Sequence, residues 1–365
     1  MIANEVPSFF REKNSRNSAD PSIAIIGAGI LGSSLAYRFS QEEFRVSVFE
    51  QQAATDTTSA SFVAGGMLTP FCELESAPAC IAQPGLQSIE ILKNWVKDLD
   101  STKQVWFQTN GSLVVAHHRD RTELQRLISR LKYLGLESSY QSTAQGLFFP
   151  QEAHVHPHSL LQALRERSQK QGAQFYFQHP VLNYQELQDF HWILDCRGLK
   201  AKNETQGLRG VRGEIIEIEC KEVQLNCPVR LMHPRYPIYI IPRPQDRFVI
   251  GATVTESESR EPMTVRGALE LLSAAMTVQP AFAEASIVDF KTHCRPAFSD
   301  HLPQVRWLQS QPQTSPRVLQ INGFYRHGYL LSPYVVEKVL SLFDGADSPQ
   351  SVFTQQGESL CLNLF

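Results

Sequence analysis

The sequence predicts a mixed fold that combines an α/β part, built on a parallel sheet, with an α+β part, built on an antiparallel sheet. Three observations predict it: an apolar strand that leads through a glycine-rich turn into a helix near residue 23, further short apolar strands near residue 192, and alternating strands between residues 213 and 253. The chain leaves the parallel pattern and later returns to it. We therefore expect two interleaved domains.

The first element has the pattern of a dinucleotide-binding turn. An apolar run at residues 23–26 is followed by Gly27-x-Gly29-x-x-Gly32. Gly27 permits the tight turn, Gly29 lets the backbone approach a pyrophosphate, and Gly32 lets the helix pack on its strand. Glu50 ends the next apolar run, at the spacing typical of a carboxylate that binds the adenosine ribose. This pattern predicts a Rossmann-type domain but does not choose between NAD and FAD.

Length and composition are those of an ordinary globular protein. The chain has 365 residues, of which 42% are apolar and 19% charged, and its net charge is −3. These values give no reason to expect nucleic acid or an anionic membrane as a partner. No apolar run reaches the ~20 residues of a membrane span. Residues 1–20 are polar, lack the apolar core of a signal peptide, and are expected to form a loose extension.

Cysteine usage favours a reducing compartment, and we therefore expect a cytoplasmic protein. The seven cysteines are scattered and never form a C-x-x-C pair, which argues against a disulfide framework and against a zinc site. The cluster His154-Val155-His156-Pro157-His158 could suggest a metal. Alternation before a proline suits a strand end or a turn better, so we expect no metal.

The predicted elements suggest how the two domains share the chain. Helices are predicted at 85–99, 120–134, from 160 to Gly172, and at 265–276; strands are predicted at 113–116, 175–177, 192–198, 213–219, 237–243, 247–253 and 287–290. We assign residues 1–80, 146–210 and 294–365 to the nucleotide-binding domain and residues 81–145 and 211–293 to the substrate domain. Simple NAD dehydrogenases tend to keep the nucleotide domain contiguous, so the interleaving is a first indication of a flavin.

The last predicted helix follows a strand and a loop that contains Gly323 and Arg326. We predict Ser332 as its N-cap and Pro333 as its first residue. The positive end of this helix would then face the cofactor and stabilise negative charge there.

Five short segments occur in an order that is specific when they are taken together. They are the glycine turn with Glu50; Thr58-Ser59 with Ala64-Gly65-Gly66-Met67-Leu68; Tyr239-Ile240-Ile241-Pro242-Arg243; Arg295-Pro296 with Asp300; and Tyr325-Arg326-His327-Gly328-Tyr329-Leu330-Leu331-Ser332-Pro333. In this order, from residue 23 to about residue 340, they resemble the D-amino acid oxidase superfamily. Within it the chain is most similar to the glycine oxidases of the thiamine pathway.

The resemblance implies noncovalently bound FAD with an antiparallel substrate domain over it. Enzymes of this superfamily oxidise small amines or amino acids to imines by hydride transfer to flavin N5, and they reduce O2 to H2O2. The imine hydrolyses to a 2-oxo acid and ammonia, or, in the thiamine pathway, glycine imine is used for thiazole synthesis. No side-chain base is expected, because positioning and electrostatics carry the reaction.

The resemblance also assigns roles to single residues. Arg295 matches the arginine that binds the substrate carboxylate, and its planar, always charged guanidinium suits that role. Tyr239 matches a tyrosine that hydrogen-bonds the same carboxylate, and Arg326 matches an arginine beside the flavin. His327 departs from the asparagine that is more often expected there. The predicted cofactor contacts are Gly27, Gly29, Gly32, Glu50, Thr58, Ser59, Gly65, Gly66, Met67, Val181, Gly198, Gly323, Arg326, Gly328, Tyr329 and Leu330.

Some residue roles stay open at this point. Arg295 could instead form a structural ion pair with an acid such as Asp300. Tyr239 could be an ordinary core aromatic, with Tyr236 as the rival for its role. Cys294 could attach the flavin, as a cysteine in this neighbourhood does in some sarcosine oxidase relatives, although its spacing to Asp300 is one residue short of theirs.

Several functional alternatives stay open as well. Electrons could pass to a quinone or a protein instead of O2, the protein could modify a macromolecule as tRNA-modifying relatives do, or it could bind FAD without a reaction. A homo-oligomer is compatible with the sequence. The proline and glycine content of residues 72–85 also makes it plausible that this segment acts as an entrance loop.

Overall fold

The computed structural model describes residues 20–99, 105–308 and 316–343, so residues 1–19 of the predicted extension lie outside the described residues. Predicted helices at 85–99, 120–134 and 265–276 are confirmed, with ends shifted by a few residues. The helices are α1 (Ile30–Phe39), α2 (Ala82–Leu99), α3 (Arg121–Tyr133), α4 (Pro157–Lys170), α5 (Val265–Val278) and α6 (Gly328–Ser341).

A six-stranded sheet carries the glycine turn. Neighbouring strands are parallel, except that the edge strand β16 runs antiparallel to β17. The strands come from three separate stretches of the chain, which confirms the interleaved parallel sheet, while the domain boundaries stay a prediction. In spatial order the strands are β16 (Gln304–Leu308), β17 (Arg317–Asn322), β10 (Trp192–Asp195), β1 (Ser22–Ile26), β2 (Arg45–Phe49) and β9 (Gln174–Tyr176).

An eight-stranded sheet is mainly antiparallel, as predicted, with one parallel pair between β12 and β5. A further small sheet consists of β3 (Met67–Leu68), β8 (Ala153–Val155) and β4 (Phe107–Gln108). In spatial order the eight strands are β15 (Ser286–Ala297), β11 (Arg209–Glu219), β14 (Arg247–Gly251), β13 (Ile238–Arg243), β12 (Val229–Met232), β5 (Ser112–Ala116), β7 (Leu147–Phe149) and β6 (Gln141–Ser142).

Several strands escaped prediction, among them β12 and β16, and β15 is the one whose predicted length was far too short. β12 and β16 have four and five residues and contain an arginine each, so their apolar pattern is weak. β15 continues to Ala297 because it pairs with β11 along its whole length. This extension matters for the site, since it places Arg295 on a strand and not in a loop.

The last helix begins earlier than predicted. α6 starts at Gly328 with His327 as its N-cap, so Ser332 is not the cap and Pro333 lies inside the helix. The backbone N–H of Leu331 donates to the carbonyl of His327 at 2.8 Å. The prediction followed the preference of proline for the first turn, but buried apolar side chains at the start of the helix extend it toward the N-terminus.

The histidine cluster forms a strand end, as the sequence predicted. β8 ends at Val155, and His156 caps α4 by accepting the N–H of Ser159 at 3.3 Å. In the described ranges, no group of three or more His, Cys, Asp or Glu side chains could hold a metal ion. The six cysteines of those ranges are free thiols, and Cys361 lies outside them.

The segment at residues 72–85 is not an open loop. It forms two 3₁₀ turns, Cys72–Glu75 and Ala79–Ile81, and the start of α2, with Cys72, Leu74 and Ile81 fully buried. Among the helices that the structure describes, none has the length and apolarity needed to cross a membrane.

Substitution of Gly32 tests how closely α1 packs on the turn before it. A Cβ atom at Gly32 would lie 1.9 Å from the carbonyl oxygen of Gly27, a backbone atom that cannot move aside. We expect Gly32→Ala to lower the free energy of unfolding by about 1–3 kcal/mol, measured by urea denaturation of the apoprotein. Gly328→Ala is the control, because its Cβ would meet Ile30 at an ordinary 3.8 Å. Equal stability of the two variants would contradict this packing.

Candidate active site

A cavity of about 500 Å³ brings most of the predicted site residues together. Three predicted residues do not line it: Gly32 packs under the glycine turn, Thr58 is exposed and bonds Asp56, and Gly323 lies against the ring of Phe298. The predicted residues that do line it are Gly27, Gly29, Glu50, Ser59, Gly65, Gly66, Met67, Val181, Gly198, Tyr239, Arg295, Arg326, Gly328, Tyr329 and Leu330.

The glycine turn forms one end of the cavity. Gly27 has φ +97°, and a Cβ there would lie 2.8 Å from the carbonyl oxygen of Cys196. Gly29 caps α1 without a side-chain hydrogen bond, and the N–H of Ile30 donates to the hydroxyl of Ser61 at 2.9 Å. Gly29 and Leu31 also line the cavity, and the first N–H groups of a helix have no helical partner, which suits a pyrophosphate.

Glu50 is held beside this turn. Its Oε2 accepts the N–H of Ala28 at 2.7 Å, and its Oε1 accepts the N–H of Gln52 at 3.0 Å. The carboxylate therefore stands at the C-terminal end of β2, where a ribose hydroxyl is bound in dinucleotide folds. Together with the bare glycine turn, this geometry fits the adenosine diphosphate part of a dinucleotide.

The N-terminus of α6 also faces the cavity. Gly328 and Tyr329 line it, and the Tyr329 hydroxyl donates to the carbonyl of Ser61 at 2.7 Å. The ring of His327 is buried and makes no hydrogen bond within the described residues. Burial lowers the pKa of His327 to about 4, so its ring is neutral at pH 7.

Within the described residues, Arg295 is a partly buried cation that has no carboxylate partner. Its Nη1 donates to the carbonyls of Arg212 and Thr253 at 3.3 and 3.2 Å, and none of the described carboxylates forms an ion pair with it. Asp300 instead accepts the N–H of Leu302 at 3.0 Å. Burial, and next the charge of Arg326, lower the pKa of Arg295 to about 10, so it stays protonated at pH 7. A cation that lines a cavity and has no carboxylate partner suits an anionic ligand.

Gly213 supports this guanidinium and was missed by sequence analysis. A Cβ at Gly213 would lie 2.3 Å from Cζ, Nη1 and Nη2 of Arg295, so the guanidinium lies flat over the glycine. Gly213 sits on β11, which pairs with β15. Only this long-range pairing makes the glycine necessary, and no local pattern marks it.

Cys294 faces away from the guanidinium. Its Sγ lies 3.4 Å from the carbonyl oxygen of Ser259 and 3.8 Å from that of Ser257. Neighbouring residues of a strand point to opposite faces, so the Cys294 thiol and the Arg295 side chain diverge.

Tyr239 belongs to a buried ionic cluster. Its hydroxyl donates to Oε1 of Glu73 at 2.6 Å and accepts from Nη1 of Arg230 at 2.7 Å. Its rival Tyr236 does not line the cavity and stacks on His233 with the ring centroids 4.0 Å apart. The phenol of Tyr239 is therefore a fixed member of a network and not an ordinary core aromatic.

The same cluster joins both sheets of the site. Glu73 Oε1 accepts from Arg230 Nη1 at 2.9 Å and from Arg326 Nη2 at 3.3 Å, while Arg230 Nη2 donates to Glu75 Oε2 at 2.6 Å. Sequence analysis missed Glu73 and Arg230. The available signals were two acids in a buried segment and one charge within the apolar strand β12.

The charges of the site sum to a small positive value. Burial alone would raise the pKa of Glu73, but Arg326 and Arg230 lower it to about 2, so the carboxylate is ionised at neutral pH. Arg230, Arg295 and Arg326 carry three positive charges, and Glu73 and Glu75 carry two negative ones. Among these five side chains one positive charge is uncompensated, which suits a ligand that carries a carboxylate.

Comparison with known proteins gives one consistent result. The family model described as FAD dependent oxidoreductase matches residues 22–339. A Rhizobium etli protein described as a thiamine biosynthesis oxidoreductase, ThiO, is 37% identical over 87% of this chain and 94% of its own. Bacillus subtilis glycine oxidase is 24% identical over 85% and 89% of the two chains. The crystal structure of glycine oxidase from Geobacillus kaustophilus has a TM-score of 0.71 at 21% identity, covering 87% and 93%.

Replacing Gly213 should disturb the anion site through Arg295. We expect Gly213→Ala to displace the guanidinium and to raise the Kd for a small carboxylate such as acetate by about 10- to 100-fold. Calorimetric titration of the purified protein with acetate measures this. Unchanged far-UV circular dichroism serves as the check on folding. Wild-type acetate affinity in the variant would show that Gly213 does not support Arg295.

Proposed function

The chain belongs to the family of FAD-dependent oxidoreductases, and on that premise we propose that it oxidises glycine or another small amino acid to an imine. The observation that carries the proposal is Arg295, a partly buried guanidinium with no carboxylate partner among the described residues, in the same cavity as the glycine turn and Glu50. A planar cation suits a bidentate α-carboxylate. The glycine oxidases among the relatives support a small substrate.

The chain's own residues offer a noncovalent cofactor site. The turn at Gly27 and Gly29 with the start of α1 would hold the pyrophosphate, and Glu50 the ribose. Gly328, at the start of α6, offers the positive end of a helix dipole to negative charge on the ring system. Cys294 points to the other face of its strand, which supports binding without a thioether. FAD, when bound, supplies the acceptor for a hydride at N5 and can pass two electrons to O2.

The substrate would be oriented by charge. Arg295 would bind the carboxylate, and Arg326 would keep Glu73 in place and add positive potential. The positive charge of Arg295 favours binding of the carboxylate, and the amine must be neutral before a hydride can leave Cα. No side chain is needed as a base at Cα, because the reaction is controlled by orientation.

The balanced reaction consumes one amino acid, one O2 and one water, and gives a 2-oxo acid, ammonia and H2O2. With glycine the 2-oxo acid is glyoxylate. The ThiO name of the Rhizobium etli relative supports a place in thiamine biosynthesis, in which the imine is used before it hydrolyses. We propose a cytoplasmic enzyme, in keeping with the free thiols of the described cysteines.

Anaerobic addition of glycine is the direct test. We expect the visible flavin absorption of the holoenzyme to bleach, and one H2O2 to form per glycine oxidised when air is admitted. Arg295→Met should raise the glycine concentration needed for half-maximal bleaching by about 100-fold or more. Arg295→Lys keeps the charge but loses the bidentate geometry of the guanidinium, so its half-maximal concentration should lie between those of the wild type and Arg295→Met.

Three outcomes separate the alternatives. Bleaching without peroxide would indicate that the electrons pass to a quinone or protein acceptor. Bleaching only by other small amines would indicate the same chemistry with a different substrate. A flavin that no amine reduces would contradict the proposed function.

A further inference from the structure

We propose that Glu73 recognises the amino group of the substrate, so that the site selects ligands that carry a protonated amine next to a carboxylate. This inference rests on the proposed function, because it concerns the second polar group of the same substrate. Glu73 lines the cavity with Arg295 and Arg326 and is only 5% exposed.

The hydrogen bonds of Glu73 are unevenly divided between its two oxygens. Oε1 accepts from Arg230, Tyr239 and Arg326, at 2.9, 2.6 and 3.3 Å. Oε2 is buried and has no hydrogen-bond partner within the described residues. Because a buried carboxylate oxygen without a partner is costly, this oxygen needs a donor that the chain does not supply.

A substrate ammonium can supply that donor. The last torsion of a glutamate side chain is broad, so rotation of the carboxylate would bring Oε2 to the cavity. An ammonium has three N–H donors and no acceptor. It can therefore donate to a carboxylate but cannot accept a hydrogen bond from a neighbouring guanidinium. Glu73 and Arg295 line the same cavity, and Arg326, which also lines it, donates to Glu73 at 3.3 Å.

Glu73 is better suited to hold a proton on the substrate than to remove it. Arg326 and Arg230 outweigh burial and keep the pKa of Glu73 at about 2, so it is a weak base at neutral pH. The carboxylate therefore stabilises the ammonium form on binding. Loss of the proton before oxidation then depends on pH, which gives a second measurable consequence.

Glu75 provides a matched control. It binds Nη2 of the same Arg230 at 2.6 Å, but its side chain is 24% exposed and it does not line the cavity. Glu75→Gln therefore removes one ion pair of Arg230 and leaves the cavity wall intact. A role of Glu73 that is only structural would make the two glutamate variants similar.

The test compares glycine with acetate, which has the carboxylate and no amine. In Glu73→Gln holoenzyme we expect the Kd of glycine, from the concentration dependence of anaerobic bleaching, to rise about 10- to 100-fold. The Kd of acetate, from its perturbation of the oxidised flavin spectrum, should stay within about fivefold or fall, because the site becomes more positive. Glu75→Gln should change neither Kd by more than about fivefold.

The pH profile of bleaching at saturating glycine is the second readout. Removing the negative charge of Glu73 destabilises the bound ammonium and lowers its pKa. The rising limb of the reduction rate in Glu73→Gln should therefore move to lower pH than in the wild type. A rising limb at the same pH in Glu73→Gln and in the wild type would count against a contact between Glu73 and the amine.

The proposal is overturned if Glu73→Gln raises the Kd of glycine and the Kd of acetate by the same factor, or raises neither. Should that variant fail to fold, the double variant Arg230→Met/Glu73→Gln removes both charges of the buried pair together, which proteins tolerate better than one unpaired charge. It should show the same selective loss of glycine. A wild-type flavin that no small amino acid reduces would instead overturn the proposed function, so the two failures are distinguishable.

Discussion

The position of Arg295 in the cavity, with no carboxylate partner among the described residues, is the constraint on which the rest of this site depends. Its guanidinium lies over Gly213 and donates only to backbone carbonyls, so its charge is left for a ligand. That position requires β15 and β11 to pair in a fixed register, in which Val211 is opposite Arg295 and Gly213 opposite His293. Because a diagonal neighbour on a sheet is within reach of a long side chain, Arg295 can cover Gly213, and the glycine leaves room for it. The antiparallel sheet thus serves as the rigid support of one charge.

The ionic cluster around Glu73 borders the same cavity as Arg295. Arg230 holds Glu73 and Glu75 together, and Arg326 and Tyr239 attach to the same carboxylate. A buried ion pair of this kind adds little net stability, because desolvation offsets the Coulomb attraction. The cluster instead places two arginine charges near the cavity and offers one carboxylate acceptor to an amine. The neutral ring of His327 adds no charge to this balance.

Two helix N-termini complete the cavity from the parallel sheet. α1 follows β1 through the glycine turn, and α6 follows β17, so both helices begin at the carboxyl ends of parallel strands. Ligands of open α/β sheets bind at that edge, because loops and helix dipoles converge there. The Tyr329 hydroxyl, bonded to the carbonyl of Ser61, ties the start of α6 to the segment that caps α1. This bond thereby keeps the positive ends of both helix dipoles directed at the same cavity.

The sequence by itself determined what short-range rules control. The glycine turn with Glu50, the amphipathic helices and the alternating strands follow from spacings within a few residues, and the resemblance to a known superfamily added Arg295, Tyr239 and Arg326. Packing moved the start of α6 to Gly328, since buried side chains outweighed the preference of Pro333 for the first turn. The tertiary structure alone decided that Gly213 lies under Arg295 and that Glu73 meets Arg230 and Tyr239. Glu73 is 157 and 166 residues from these two partners, and contacts over such separations arise from strand pairing and burial, which no local pattern records.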